Sequence, residues 1–265
     1  DIKGKALGVP VYELLVGKIR DRIRVYSHAG DAESAKRLVD RGFTAFKCGA
    51  NVETLKVIRE AVGDKIDIGI HCHGEYTASA AIRIGKACEP FNPAFFEEPT
   101  NPADLGAMEL VRDKVDIPLA AGERLYHKWS FKDLLQRNVV DIIQPEITRV
   151  GGILEAKKVS IMAEAQGVMV APHDGSAGPI AEMANIHVMA TIPNFQFLEH
   201  IASDVPWRNQ VAIGVIPDKD GYIEVPNVPG LGIDIDVDEI ARHPVKATEA
   251  YNYNFRTPEQ IQHTR

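Results

Sequence analysis

The chain has 265 residues, 45% of them apolar and 25% charged, with a formal net charge of −7. Such a chain buries a sizeable core, and its acidic excess argues against a nucleic-acid surface. No apolar run reaches membrane-spanning length, no signal peptide is read at the start, and the three cysteines (Cys48, Cys72, Cys88) form no disulfide pattern, so a reducing, cytoplasmic setting is expected.

Residues 1–22 read as a helix, centred on Val11-Tyr-Glu-Leu-Leu15 and closed by Gly17, with a linker behind it. From residue 23 a rhythm begins. Short β-rich runs centre on Val25, Phe46, Ile68, Phe96, Ala121, Ile143, Val170 and Phe197. Between them lie amphipathic stretches: 32–39, 52–62, 77–88, 103–111, 131–136, 153–166 and 180–190. Thr77, Asn101 and Ser130 are candidate helix caps. Such alternation makes βα units with a parallel sheet, and eight runs without a break favour a closed (β/α) barrel over residues 23–202. Residues 203–265 are rich in Pro and Gly and read as irregular structure packed outside the barrel, with a strand near Gly221-Tyr-Ile-Glu-Val225.

In a parallel barrel the active site lies at the C-terminal strand ends. There the second to eighth runs close on Lys47, on His71 and His73, on Glu97 and Glu98, and on Glu123, Glu146, His173 and Glu199. Convergent ionisable groups of this number point to a site. Glu97 and Glu123, on neighbouring strands, offer hard oxygen ligands for a divalent cation, with His71 placed as a third ligand. A carboxylate at Glu146 would fix the tautomer of His173 and make it a general base. His73 and Lys47 reach the same space as acid or electrostatic aid. Cys72 points away from the two histidines and reads as a packed thiol.

The motifs Phe46-Lys47, His71-Cys-His-Gly74, Phe96-Glu-Glu-Pro99, Ala121-Gly-Glu-Arg124, Gln144-Pro-Glu-Ile-Thr-Arg-Val-Gly-Gly152, Ala171-Pro-His173 and Phe197-Leu-Glu199 occur in order along the chain, with Val225-Pro-Asn-Val-Pro-Gly-Leu-Gly232 in the tail. Together they resemble the mandelate racemase group of the enolase superfamily, most of all its gluconate/galactonate-type sugar-acid dehydratases. The resemblance implies an α/β fold, a (β/α)7β TIM-like barrel. Only remnants of the family's α+β capping domain are expected in this chain, with the N-terminal part preceding Asp1. It implies one Mg2+ per subunit, held by His71, Glu97 and Glu123. It implies catalysis by His173 with Glu146, by His73 as the acid that expels a 3-hydroxyl, and by Lys47 and Glu199. Substrate contacts are expected at Glu199, Arg124 and His73. A small sugar acid as substrate, a homo-oligomer, and neither nucleic acid nor membrane as partner complete the expectation.

Three positions depart from the family pattern. His71 stands where a carboxylate is usual, which leaves another divalent metal open. Glu146 stands for the usual Asp, and Gly49 for a second lysine. Alternatives remain: an acid racemase or epimerase, a zinc hydrolase built on His71 and His73, or a non-catalytic barrel with a degraded metal site. Arg124 contacts substrate or pairs with Glu98, and Gly151-Gly152 makes a tight turn or an anion cradle. His28 and His127 are candidates for the mouth. His187, His200, His243 and His263 have no clear role. Trp129 and Trp207 read as packing, while Trp207 and Asp204 follow the eighth strand close to a substrate.

Overall fold

The computed structural model describes residues 1–175, 177–202 and 205–244. Asp204, His263 and the rest of 245–265 lie outside the described residues. All eight expected strands form: β1 (Arg22–His28), β2 (Ala45–Gly49), β3 (Asp67–His71), β4 (Phe95–Glu97), β5 (Leu119–Ala121), β6 (Ile142–Ile143), β7 (Met169–Val170) and β8 (Leu198–Glu199). They pair in parallel in sequence order from β1 to β7. The ring closes because β8 pairs in parallel with β1 and Phe195 bridges in parallel to Val170.

The outer helices are α2 (Ala32–Asp40), α3 (Val52–Val62), α4 (Ala78–Cys88), α5 (Leu105–Arg112), α6 (His127–Gln136), the pair α7 (Ile147–Val150) and α8 (Ile153–Glu164), and α9 (Pro179–Met189), preceded by a short α1 (Ile2–Leu7). After β8 come β9 (Ala212–Ile213), β10 (Tyr222–Glu224), β11 (Asp234–Ile235) and α10 (Val237–Ala241).

Four local expectations change. The single first helix is two pieces, α1 and a 3-10 turn over Val11–Leu15. Gly8 turns left-handed and Pro10 lacks the N–H a continuous helix requires. Thr77 caps α4 as expected, but the cap of α5 is Asp104, whose carboxylate accepts from Ala107 N. Asn101 instead closes a turn on Ala103 N. Ser130 lies inside α6, which starts at His127. β10 does not stand apart from the barrel: it pairs antiparallel with the first half of β1.

The barrel interior explains the site above it. Alternate strand residues point inward, and Tyr26, Ala45, Phe95, Ala120, Ile142, Ala171 and Phe197 fill the lumen. Phe95 and Phe197 both contact Tyr26, with ring centroids 6.1 and 4.9 Å away. Gly69 on β3 makes room for them: a Cβ there would sit 2.1 Å from Phe95 Cζ. Two residues further along, the same inward positions carry Lys47, Glu97, Gln144, His173 and Glu199, all buried. A polar layer therefore rests on an apolar floor. Gly69→Ala is expected to cost about 1–3 kcal/mol through overpacking, read as a lower urea midpoint; an unchanged midpoint would show that Phe95 has room to move.

Candidate active site

The base of the site is Lys47, whose side chain is 2% exposed. Its Nζ donates to Glu97 Oε1 and Oε2 at 2.9 and 3.0 Å and lies 3.0 Å from Glu199 Oε1. Burial disfavours the ammonium, but Glu199 and Glu97 outweigh it and hold the pKa well above the ordinary lysine value. Lys47 is thus a fixed cation. Gln144 Nε2 also donates to Glu97, at 2.8 Å.

His173, at the end of the seventh run, lies between carboxylates. Its Nδ1 is 2.8 Å from Glu146 Oε2, and its Nε2 is 2.9 Å from Glu123 Oε2 and 3.6 Å from Glu199 Oε2. The longer side chain at 146 therefore still reaches the imidazole. Thr148 holds the other oxygen of Glu146 through its backbone N and its hydroxyl, at 3.2 and 2.9 Å. Burial opposes a charge on His173, yet Glu199, Glu123 and Glu146 raise its pKa to about 11. Glu123 is correspondingly low, at about 2: burial pushes it up, and His173 more than reverses this. Gly175 keeps the approach open, because a Cβ there would meet Glu199 Oε1 at 2.9 Å and His173 Nε2 at 3.2 Å.

The expected ligands are not gathered in this arrangement. Among the described residues, no three His, Cys, Asp or Glu side chains stand where they could hold a metal. His71 is Cα-paired with Glu97, but its ring packs between those of His28 and His73, with centroids 5.0 and 5.2 Å away. Glu97 is bound to Lys47, and Glu123 to His173. The donor chemistry nevertheless fits a divalent cation. His71 Nδ1 is buried with no hydrogen-bond partner. Burial, with Lys47, His28 and His73 nearby, lowers its pKa to about 2, so the ring is a neutral donor. Glu97 and Glu123 supply hard oxygens.

The remaining expected residues divide. His73 is exposed at the rim. Arg124 is bound to buried Glu98 through Nε, at 2.7 Å, and through Nη2. Pairing, rather than free presentation to substrate, is thus its state here. Burial, opposed by Arg124, raises Glu98 to about 7. Gly151 and Gly152 both have positive φ between α7 and α8, which makes them the tight turn. His127 starts α6 beside Gly151, His187 bridges Tyr12 N and Leu231 O, and Trp207 stacks on His243. Trp129 is exposed, with Lys128 over its ring, instead of packed.

Two site residues, Gln144 and Asp174, had no role assigned from the sequence, and His28, a candidate for the mouth, joins them there. His28 closes β1, and its Nε2 is 3.0 Å from Glu199 Oε1. Gln144 lies two residues beyond the inward Ile142, a signal visible in the strand period. Asp174 is 1% exposed and donates its backbone N to Glu199 Oε2. Its carboxyl is raised well above the ordinary value by burial and by Glu182, Glu146 and Glu199.

This architecture, with its acid–base and candidate ligand groups at the C-terminal mouth of a parallel barrel, is that of a barrel enzyme domain. Residues 30–240 match the family model described as enolase C-terminal domain-like, and the chain belongs to that family. It is 32% identical to the D-xylonate dehydratase of Haloferax volcanii, over 95% of this chain and 69% of that protein. It is 36% identical to the D-galactonate dehydratase of Ralstonia pickettii, over 89% and 69% respectively. The mandelate racemase/muconate lactonizing enzyme-like protein from Roseovarius sp. TM1035 superposes with a TM-score of 0.85 at 40% identity, covering 91% of this chain and 69% of that one. Among the described residues, no helix is long and apolar enough to cross a membrane.

The charges set a pH window for stability. Glu123 and Glu199 have depressed pKa values, so their contribution is present above the unfolded carboxylate value and is lost on acidification through the folded one. His173 has a raised value, so its contribution is complete below its ordinary 6.5 and is lost as pH climbs toward about 11. Unfolding measured from pH 3 to 11 should show stability falling on both sides of neutrality, and His173→Asn should flatten the alkaline side. An unaltered alkaline limb in that variant would contradict the assignment.

Proposed function

We propose that this domain dehydrates a sugar acid of the aldonate type, such as gluconate or galactonate. The proton α to the carboxylate is removed, the 3-hydroxyl leaves as water, and the enol becomes a 2-keto-3-deoxy acid. The observation that carries the reading is His173: one ring nitrogen is anchored on buried Glu146, and the other faces Glu123 and Glu199 at the mouth. The names of the relatives support the same chemistry.

An α proton of a carboxylate is very weakly acidic, so negative charge must be stabilised as it develops. Magnesium, held by His71, Glu97 and Glu123, would supply Lewis-acid stabilisation of that charge; the neutral His71 also suits a softer divalent ion. Lys47 adds a fixed positive charge at the base of the site. Paired with Glu123 as it is here, His173 carries a proton on Nε2. Once released from Glu123 it gives that proton up, and the neutral imidazole then takes the substrate proton at Nε2 while Glu146 at Nδ1 balances the resulting imidazolium. The hydrogen bond from Nε2 to Glu123 must give way first. His73 at the rim donates the proton that lets the hydroxyl leave. Glu199 sits where the substrate carboxylate or its enediolate is recognised, with Arg124 as a further contact once it leaves Glu98.

Racemisation between two bases is disfavoured. Lys47 is held charged and cannot accept a proton, and Gly49 offers no second lysine. Cys48, Cys72 and Cys88 are buried and form no disulfide, which suits the reducing cytoplasm. A homo-oligomer is part of the same proposal, by family resemblance.

A screen of aldonates with magnesium should yield 2-keto-3-deoxy product. His173→Asn is expected to abolish it, and Glu146→Gln to lower kcat by about 100-fold or more. Full activity in either variant would refute the dyad. Calorimetric titration should show Mg2+ binding that weakens in Glu97→Gln and strengthens in His71→Asp, which adds a hard ligand; identical isotherms in all three proteins would remove the assigned ligands.

A further inference from the structure

A cavity of about 560 Å³ opens beside the reacting groups, and the dehydration chemistry leaves it unused. It begins at Glu199 and Gly175 and extends over the end of β1 toward α2. Beyond Glu199 its walls include Ser27, His28, Ser34, Arg37, Arg41 and His200. Arg37 and Arg41 are four residues apart, on one face of α2 and its C-terminal cap. His200 adds a third positive charge: burial disfavours it, but Asp218 and Glu182 raise its pKa to about 9.

Among the described residues, the carboxylates that balance these cations are Glu33, Asp218 and Glu182. None of them is among the residues lining the cavity. The lining carboxylate, Glu199, is already flanked by Lys47, His173 and His28. A wall of this kind favours an anion. Arg37 is the group best able to change partners, since it and Glu33 are 61% and 84% exposed and such pairs are weak. A guanidinium also matches carboxylate or phosphate geometry in a bidentate way. His28 marks the boundary, with its Nε2 on Glu199 and half of its side chain open.

We propose that this cavity is a subsite for a second anionic group at the far end of the substrate. The enzyme would then take sugar acids charged at both ends, either aldarates or phosphorylated aldonates. Placing the first carboxylate at the catalytic end rests on the dehydratase reading; the anion subsite itself does not.

The test uses probes that cannot be dehydrated. Adipate and hexanoate have the same carbon chain with two carboxylates or one. By calorimetry, adipate is expected to bind roughly tenfold more tightly than hexanoate. Arg37→Met, which keeps the apolar stem and removes the charge, should bring the ratio close to one. Glu33→Gln, which frees Arg37, should maintain or increase it. Equal binding of the two probes, or a ratio unchanged in Arg37→Met, would overturn the proposal. Competition of galactarate and 6-phosphogluconate against bound adipate distinguishes the two sources of the anion. A preference for adipate without turnover of any sugar acid would sink the dehydratase reading and leave the subsite standing. Turnover of aldonates with no adipate preference would do the reverse.

Discussion

A single ammonium, that of Lys47, makes the polar floor of this site possible. Glu97 and Glu199 are each 1% exposed and point into a closed barrel, where two unpaired carboxylates would be costly. Lys47 lies between them at 2.9 and 3.0 Å and compensates both. A buried pair of this kind adds little net stability over an apolar core, and its retention fits a functional layer better than a structural one. Removing Lys47 would leave two like charges facing each other above Tyr26 and Phe197. The charge on Lys47 also reaches sideways, helping to hold Glu123 and Glu199 ionised and His71 neutral.

The second constraint is the two-residue period of the strands. Because the lumen is filled to the level of Tyr26, Phe95 and Phe197, the next inward position on each strand is the first that a small molecule can approach. That position carries Lys47, Glu97, Gln144, His173 and Glu199, with His28 and His71 at the ends of their strands. Rigid neighbours fix each side chain, while Gly69 below and Gly175 above make room where a Cβ would collide. Chemistry and packing are thus two levels of one ladder.

Much of this was legible in the sequence. The eight runs, the closed barrel and the ionisable strand ends follow from periodicity alone, because strand period and barrel direction are local rules. The pairing of His173 with Glu146 was also legible, since it joins neighbouring strand ends. The parts not legible depend on which charge satisfies which. Glu97 turns to Lys47, and His71 to its histidine neighbours, choices set by competition among side chains far apart in sequence, while for Arg124 the sequence offered Glu98 or the substrate without deciding between them. The helix starts at Asp104 and Tyr126 were missed because several polar residues competed for each, and the split of the first helix because Gly8 and Pro10 lie inside that run.

The central claim is that His173 removes a proton from carbon 2 and that the adjacent hydroxyl then leaves. The most direct measurement is turnover of a sugar acid in D2O followed by NMR. The account predicts loss of the carbon 2 proton and of water, with one solvent deuterium entering at carbon 3, in the intact protein and not in His173→Asn. Deuterium at carbon 2 with the 3-hydroxyl retained, or the same labelling in the variant, would contradict it.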